Sequence, residues 1–292
     1  MAVTAIPERA YAAGFLSDHV ISMDPQVTGR YSVWSSMGFI VALKIGKEQH
    51  AALVRGACLV DHHVTHAPWE KNISVLLALQ SIFYRNFLKI PSECLIPYAH
   101  ALHNLPSFMQ QLSMESNGKT AQLQLGQQPM ETSPIIWGYE GTNAQHSFFQ
   151  WLQQSSDVAP VDFVVVAHAG PQHITQQQKL IAHAIAQAKI LMEGTASSEL
   201  PGNKPSNFLV LKELSPFALG ELIAIYEHKI FVQSRVWGVD PFNQPGVELG
   251  KRVAKELSLR MEHAQIPEGM DGSTRQIMER ISQLQQEATH IG

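Results

Sequence analysis

The sequence predicts an α/β protein of three layers, helix–sheet–helix, built on a mostly parallel sheet with further helices flanking it. Three observations carry this expectation. Four short apolar runs, at 94–98, 134–138, 162–167 and 208–211, are continuous and bounded by turn residues, as strands buried on both faces are. Longer stretches with helical spacing, near 102–113, 143–154, 176–193 and 216–231, alternate with them. Strand and helix in alternation give parallel strands joined by crossovers, with helices on each side of the sheet.

Each element has a local reason. Pro7 to Gly14 reads as a short helix closed by glycine, followed by an irregular run containing Asp24 and Pro25. From Arg30 to Leu88 apolar residues recur at helical spacing, broken near Thr65 and Pro68, so several packed helices are expected. In 176–193, Leu180, Ile181, Ala184, Ile185, Ala188, Leu191 and Met192 form one apolar stripe, and Gly194 supplies the stop. Residues 236–239 make a weaker fifth strand, and the polar stretch 120–133 a hairpin or loop insertion. A helix starts near Val247, and another spans 273–288, where Ile277, Ile281 and Leu284 offer a narrow stripe for packing on the body.

Composition excludes several function classes. The 292 residues are 45% hydrophobic and carry a net charge of −4 with no dense run of Lys or Arg, so nothing marks a nucleic-acid or anionic-membrane surface. No apolar segment is long enough to span a bilayer, and the first residues lack a signal-peptide pattern, so the reducing cytoplasm is the expected setting. Cys58 and Cys94, in a helix and a strand, read as buried free thiols. His62, His63 and His66 find no completing ligand set beyond Asp61, and read as a helix surface, not a metal site. No glycine-rich phosphate loop points to a nucleotide.

Chemistry concentrates in four strings: Thr28-Gly29-Arg30-Tyr31-Ser32, Met114-Glu115-Ser116-Asn117-Gly118-Lys119, Gly141-Thr142-Asn143-Ala144-Gln145-His146, and Gln244-Pro245-Gly246-Val247-Glu248-Leu249-Gly250-Lys251. Gln111 precedes Glu115 by one helical turn, so a continuing helix puts both on one face. A carboxylate held there can act as a general base, and a fixed arginine such as Arg30 can stabilise charge developing on an oxygen. Gly29 lets backbone approach a ligand closely. His146, in the first turn of a helix with Thr142 or Asn143 as N-cap, can exchange a proton near neutral pH. By residue type alone, Glu115 and Lys251 also fit solvated charges, and Arg30 a structural cap.

Taken together, the strings resemble glucose-6-phosphate isomerases, over nearly the whole chain but only the second half of that family's usual length. The resemblance implies a sugar-isomerase (SIS-type) α/β domain at 91–245, preceded at 1–90 by a linker and helices left from the preceding domain, and followed at 246–292 by a helical segment. It also implies that Glu115 moves a proton between C1 and C2 of an open-chain phosphosugar through a cis-enediol, with Arg30 beside it. Gln111, Gln244 and Gly29 would bind substrate, Lys251 would assist ring opening, and His146 would open the ring of a site in the neighbouring subunit of a homodimer. No metal or other cofactor is implied. Thr28 and Asn243 stand where the family usually has glycine and aspartate. The family's phosphate-holding loop lies well before its arginine motif, and the residues before Arg30 contain none, so the chain reads as a C-terminal half with weak or no turnover alone. A noncatalytic sugar-phosphate binding or regulatory module on the same fold, and an isomerase for another phosphosugar, stay open at this point.

Overall fold

The structure, a computed structural model, describes residues 1–27, 29–121, 130–195, 199–262 and 269–289. Two compact units divide at Asn243 and Gln244. The first opens with a two-stranded parallel ribbon, β1 (Ala2–Thr4) beside β2 (Val20–Ser22), with α1 (Pro7–Ala12) between them in sequence. A 3₁₀ helix (Gly29–Trp34) leads into α2 (Gly38–Ile45), α3 (Lys47–His66) and α4 (Ile73–Ile82). The last of these is capped by Asn72, whose Oδ1 accepts the Val75 N–H at 3.3 Å.

The four-stranded sheet is wholly parallel, in the order β4-β3-β5-β6: β3 is Ser92–Tyr98, β4 Ile135–Gly138, β5 Val161–His168 and β6 Ser206–Glu213. Side-chain alternation decides what covers each face. Cys94, Ile96, Tyr98, Val161, Phe163 and Val165 point one way and pack under α6 (Gly141–Gln145), α7 (Phe149–Gln154) and α8 (Ile174–Glu193). Leu95, Ile136 and Val164 point the other way, against α5 (Leu105–Gln110) and α9 (Pro216–Trp237). These are the three layers that the apolar runs imply.

On α9, Ser215 caps the start and Gly238, left-handed at φ 65°, ends the helix. Residues 236–239 are therefore the last turn of α9 and its cap, not a fifth strand; a short apolar run before a glycine suits either reading until the helix upstream is counted in. α9 also packs on α3 at close range. A Cβ on Gly56 would fall 2.0 Å from the Phe217 carbonyl oxygen, and one on Gly220 2.0 Å from that of Leu53.

Other expectations shift in detail. The stretch expected as one helix over 143–154 is two short ones, because the backbone at Phe148, φ −125°, interrupts the helical run. Ile185 and Met192 are exposed on α8, whose buried seam is narrowed to Ala184 and Leu191. Cys94 is buried but Cys58 is exposed, because α3 turns only Leu53, Gly56, Ala57 and Val60 fully inward. His62 and His66 stack on the surface of α3, and no metal-binding cluster occurs among the described residues. Most of the 120–133 insertion lies outside the described residues, as does Thr28.

The second unit contains α10 (Pro245–Glu262) and α11 (Gly272–Thr289). On α11, Ile277, Ile281 and Leu284 are exposed and Met278 is buried instead, one position off the expected stripe. No helix among the described residues is long and apolar enough to cross a membrane.

Candidate functional site

The helix that returns from β3 carries the candidate base at its end. α5 continues into a π-helical turn, Gln111–Glu115, closed where the Gly118 N–H reaches the Met114 carbonyl at 2.9 Å. A Cβ on residue 118 would lie 2.2 Å from that same oxygen, so the turn requires glycine. Gln111 and Glu115 share a face, as their spacing implies, and Gln111 Nε2 donates to Glu115 Oε2 at 3.0 Å. The base thus lies at a helix carboxyl end rather than in the crevice at the strand ends. That crevice holds a separate cleft of about 490 Å³ beyond β5, lined by His168, Gly170 and Gln177.

A helix carboxyl end presents partial negative charge, so a carboxylate there needs cations nearby. Arg30 is one: its side chain is 1% exposed, and Nη1 lies 3.3 Å from Glu115 Oε2. Its Nε donates to Ser116 Oγ at 2.7 Å, and Nη2 to the Asn243 carbonyl at 3.2 Å and to that of Pro241. Tyr31 Oη lies 3.0 Å from Ser116 Oγ, so one buried hydroxyl joins the phenol and the guanidinium. Burial raises the Tyr31 pKa against the lowering effects of Ser116 and Arg30, keeping the phenol neutral. With Oε2 occupied by Arg30 and Gln111, Glu115 Oε1 has no hydrogen-bond partner among the described residues, and the side chain keeps 21% exposure. Chemically this is an oriented carboxylate with one fixed oxygen, one available oxygen, and a guanidinium at hand.

Among the described residues of the first unit, none of the other expected ones hydrogen-bonds Glu115. Gly29 opens the 3₁₀ helix of Arg30, and a Cβ there would meet nothing within 4 Å, so no packing demands glycine. His146 is exposed and follows α6 as its C-cap instead of lying in a first turn; α6 starts earlier than expected, capped by Glu140 with no side-chain bond. No hydrogen bond or ion pair joins His146 to Arg30 or Glu115. Gln244 and Lys251 belong to the second unit, where both approach Glu248 Oε1, at 3.5 and 2.9 Å. The sequence reading does not single out Tyr31, Ser116 or Lys119; their one signal is position, each lying within the strings that hold Arg30 and Glu115.

A parallel sheet covered by helices makes this an α/β protein, and a carboxylate fixed against a buried arginine suits the sugar-isomerase class, with which comparison with known proteins agrees. The family model described as phosphoglucose isomerase matches residues 1–278. The glucose-6-phosphate isomerase of Beijerinckia indica is 39% identical over 94% of this chain and 54% of that protein; that of Polaromonas naphthalenivorans is 43% identical over 87% and 50%. The crystal structure of a glucose-6-phosphate isomerase from Chlamydia trachomatis superposes with a TM-score of 0.79 at 34% identity, covering 91% of this chain and 52% of that one. A hypothetical protein of Thermus thermophilus, 24% identical with a TM-score of 0.69, shares the fold. This chain belongs to the phosphoglucose isomerase family. It spans about half the length of the curated relatives it matches.

Proposed function

We propose that this chain carries the proton-transfer part of a glucose-6-phosphate isomerase site, acting on fructose 6-phosphate and glucose 6-phosphate in the cytoplasm. The observation that carries this reading is the Glu115 carboxylate, pinned through Oε2 and without a hydrogen-bond partner at Oε1 among the described residues, in a chain of that family. Oε1 takes a proton from C1 of the open-chain ketose, and the electron pair moves into a C1–C2 double bond while negative charge gathers on O2. Arg30 answers that charge, which is larger in the transition state than in the substrate. The hydroxyl proton passes between O1 and O2, and Glu115 returns its proton to C2, giving the aldose. Every atom is accounted for without a metal or other cofactor.

His146 and Lys251 act in ring opening in this proposal, with Gln244 and Gln111 on the sugar hydroxyls. The exposed His146 serves the site of a second subunit in a homodimer. We expect turnover by this chain alone to be slow, since it spans about half the length of the isomerases it matches.

Proton abstraction is tested directly by incubating the purified chain with fructose 6-phosphate in D₂O and following deuterium at C1 by NMR. Slow incorporation is expected, and Glu115→Gln should reduce it on the order of 10²-fold or more, the usual contribution of a general base. A variant that exchanges as fast as its parent, or a parent no faster than buffer, rejects the proposal. Saturable binding without exchange would favour the binding-module reading.

A further inference from the structure

Arg30 is not the only cation that reaches the segment 240–243. Lys119 Nζ donates to the Asp240 carbonyl, while Arg30 Nη2 takes those of Pro241 and Asn243. The Asp240 carboxylate curls the segment from within: Oδ1 accepts the Phe242 N–H at 2.9 Å, and Oδ2 accepts Asn243 Nδ2 at 2.7 Å. Three of its four carbonyls therefore point at two side chains of the candidate site.

The route by which Lys119 gets there is built. The tight turn at Gly118 reverses the chain directly after the π turn, and the Lys119 N–H bonds the Asn117 carbonyl at 2.8 Å. Asn117 is itself buried and anchored to α9 through the Ile230 carbonyl at 3.0 Å. Lys119 is half-buried, and burial first, then Arg30, lowers its proton affinity, while Asp240 and Glu115 act in the opposite sense. A lysine placed among those three charges and bonded to a main-chain oxygen is not a solvated surface group.

We propose that Lys119 is a positioning residue for the isomerisation: by holding 240–243 in place it keeps the carbonyls that fix Arg30 Nη2, and so aims Nη1 at Glu115. This rests on the proton-transfer reading above. If the segment came loose, Arg30 would lose two of the acceptors that fix Nη2, and Nη1 would be aimed less firmly at Glu115. A displacement of about 1 Å at a charge-stabilising group can cost on the order of 10²-fold in rate, so a residue that touches no substrate can still govern turnover.

The experiment compares the parent chain with Lys119→Met, Lys119→Arg and Glu115→Gln. Circular dichroism checks folding, deuterium incorporation from fructose 6-phosphate is measured over a range of concentrations, and amide hydrogen exchange is followed at Phe242. In Lys119→Met the saturated incorporation rate should fall at least about 10-fold, while the half-saturating concentration moves less than about 3-fold. Phe242 should exchange faster in that variant, and Lys119→Arg should restore both readouts to near parental values. A Lys119→Met rate equal to the parent's, a change confined to half-saturation, or a loss that arginine does not rescue would each overturn the proposal. Should the parent itself incorporate no more deuterium than Glu115→Gln, the proton-transfer reading fails first, and unchanged Phe242 exchange in Lys119→Met would separately refute the clamp.

Discussion

Glu227 projects from α9 toward the 3₁₀ helix of Arg30, and its Oε2 accepts the Trp34 indole N–H at 2.7 Å while Oε1 is buried without a partner among the described residues. Burial pushes its carboxyl up to about 7, with Asp61 adding to the rise and the Trp34 hydrogen bond opposing it. In the unfolded chain the same group releases its proton near 4.5. Between those values the folded state binds more protons than the unfolded one, so the stabilisation is complete below about 4.5 and is lost as pH rises through about 7. The effect is at most about 3–4 kcal/mol, from the difference between the two values at ~1.4 kcal/mol per unit. Glu227→Gln keeps an oxygen for Trp34 and cannot ionise. The difference in unfolding free energy between variant and parent, from urea titrations at pH 5 to 8.5, should grow in the variant's favour as pH rises; a difference independent of pH would show that Glu227 ionises normally.

At the scale of elements, the contact between α3 and α9 makes a sharper demand than any apolar cluster. Gly56 and Gly220 each sit against a carbonyl of the opposite helix at a distance that excludes a Cβ. Backbone cannot swing aside as a long side chain can, so Gly220→Ala must push the helices apart and should cost about 1–3 kcal/mol, read as a lower urea midpoint at unchanged slope. The higher helix propensity of alanine offsets only part of that. Because separation made for one methyl also makes room for the other, Gly56→Ala with Gly220→Ala should cost less than the two single changes added; strict additivity would mean that the contacts yield independently.

The same scale explains what the sequence reveals. β3 and β5 are legible because burial on both faces leaves continuous apolar runs; β4 and the edge strand β6 keep apolar runs although Ile135, Phe208 and Val210 are exposed; and α9 is legible because a capping Ser215, Pro216 and a long run of helix formers precede Gly238. Residues 236–239 mislead because an apolar helix end and a short strand look alike over four positions. β1 and β2 leave no signal, since three-residue strands are too short for a period to register. At the site, the spacing of Gln111 and Glu115 is enough to pair them, since both lie on one helix. Arg30 with Ser116, and Lys119 with Asp240, are separated by 86 and 121 positions, and no local pattern encodes such pairs. Conversely, His146 is singled out by its string, while its neighbours in the fold are not.

For the molecule as a whole, the expected role of His146 can be tested through assembly. His146 is exposed, and its ring has no hydrogen-bond or ion-pair partner among the described residues, whereas the pair is held by buried groups of its own chain. If a homodimer completes each site with the histidine of the second copy, a two-fold axis makes the exchange mutual, so both sites of a dimer are built alike. Glu115→Gln and His146→Ala then disable every site in their own homodimers. A mixed dimer differs: one of its sites receives both defects and the other receives neither. Random exchange in an equal mixture makes about half the dimers mixed, and each of these has one intact site, so deuterium incorporation should recover to about a quarter of the parental rate. The mixture is prepared by dissociation and reassociation, with differently tagged copies co-purified to verify exchange. Recovery of that size would require the two residues to meet across an interface. Verified mixed dimers without recovery would put His146 and Glu115 in the same subunit's site, or His146 outside the reaction.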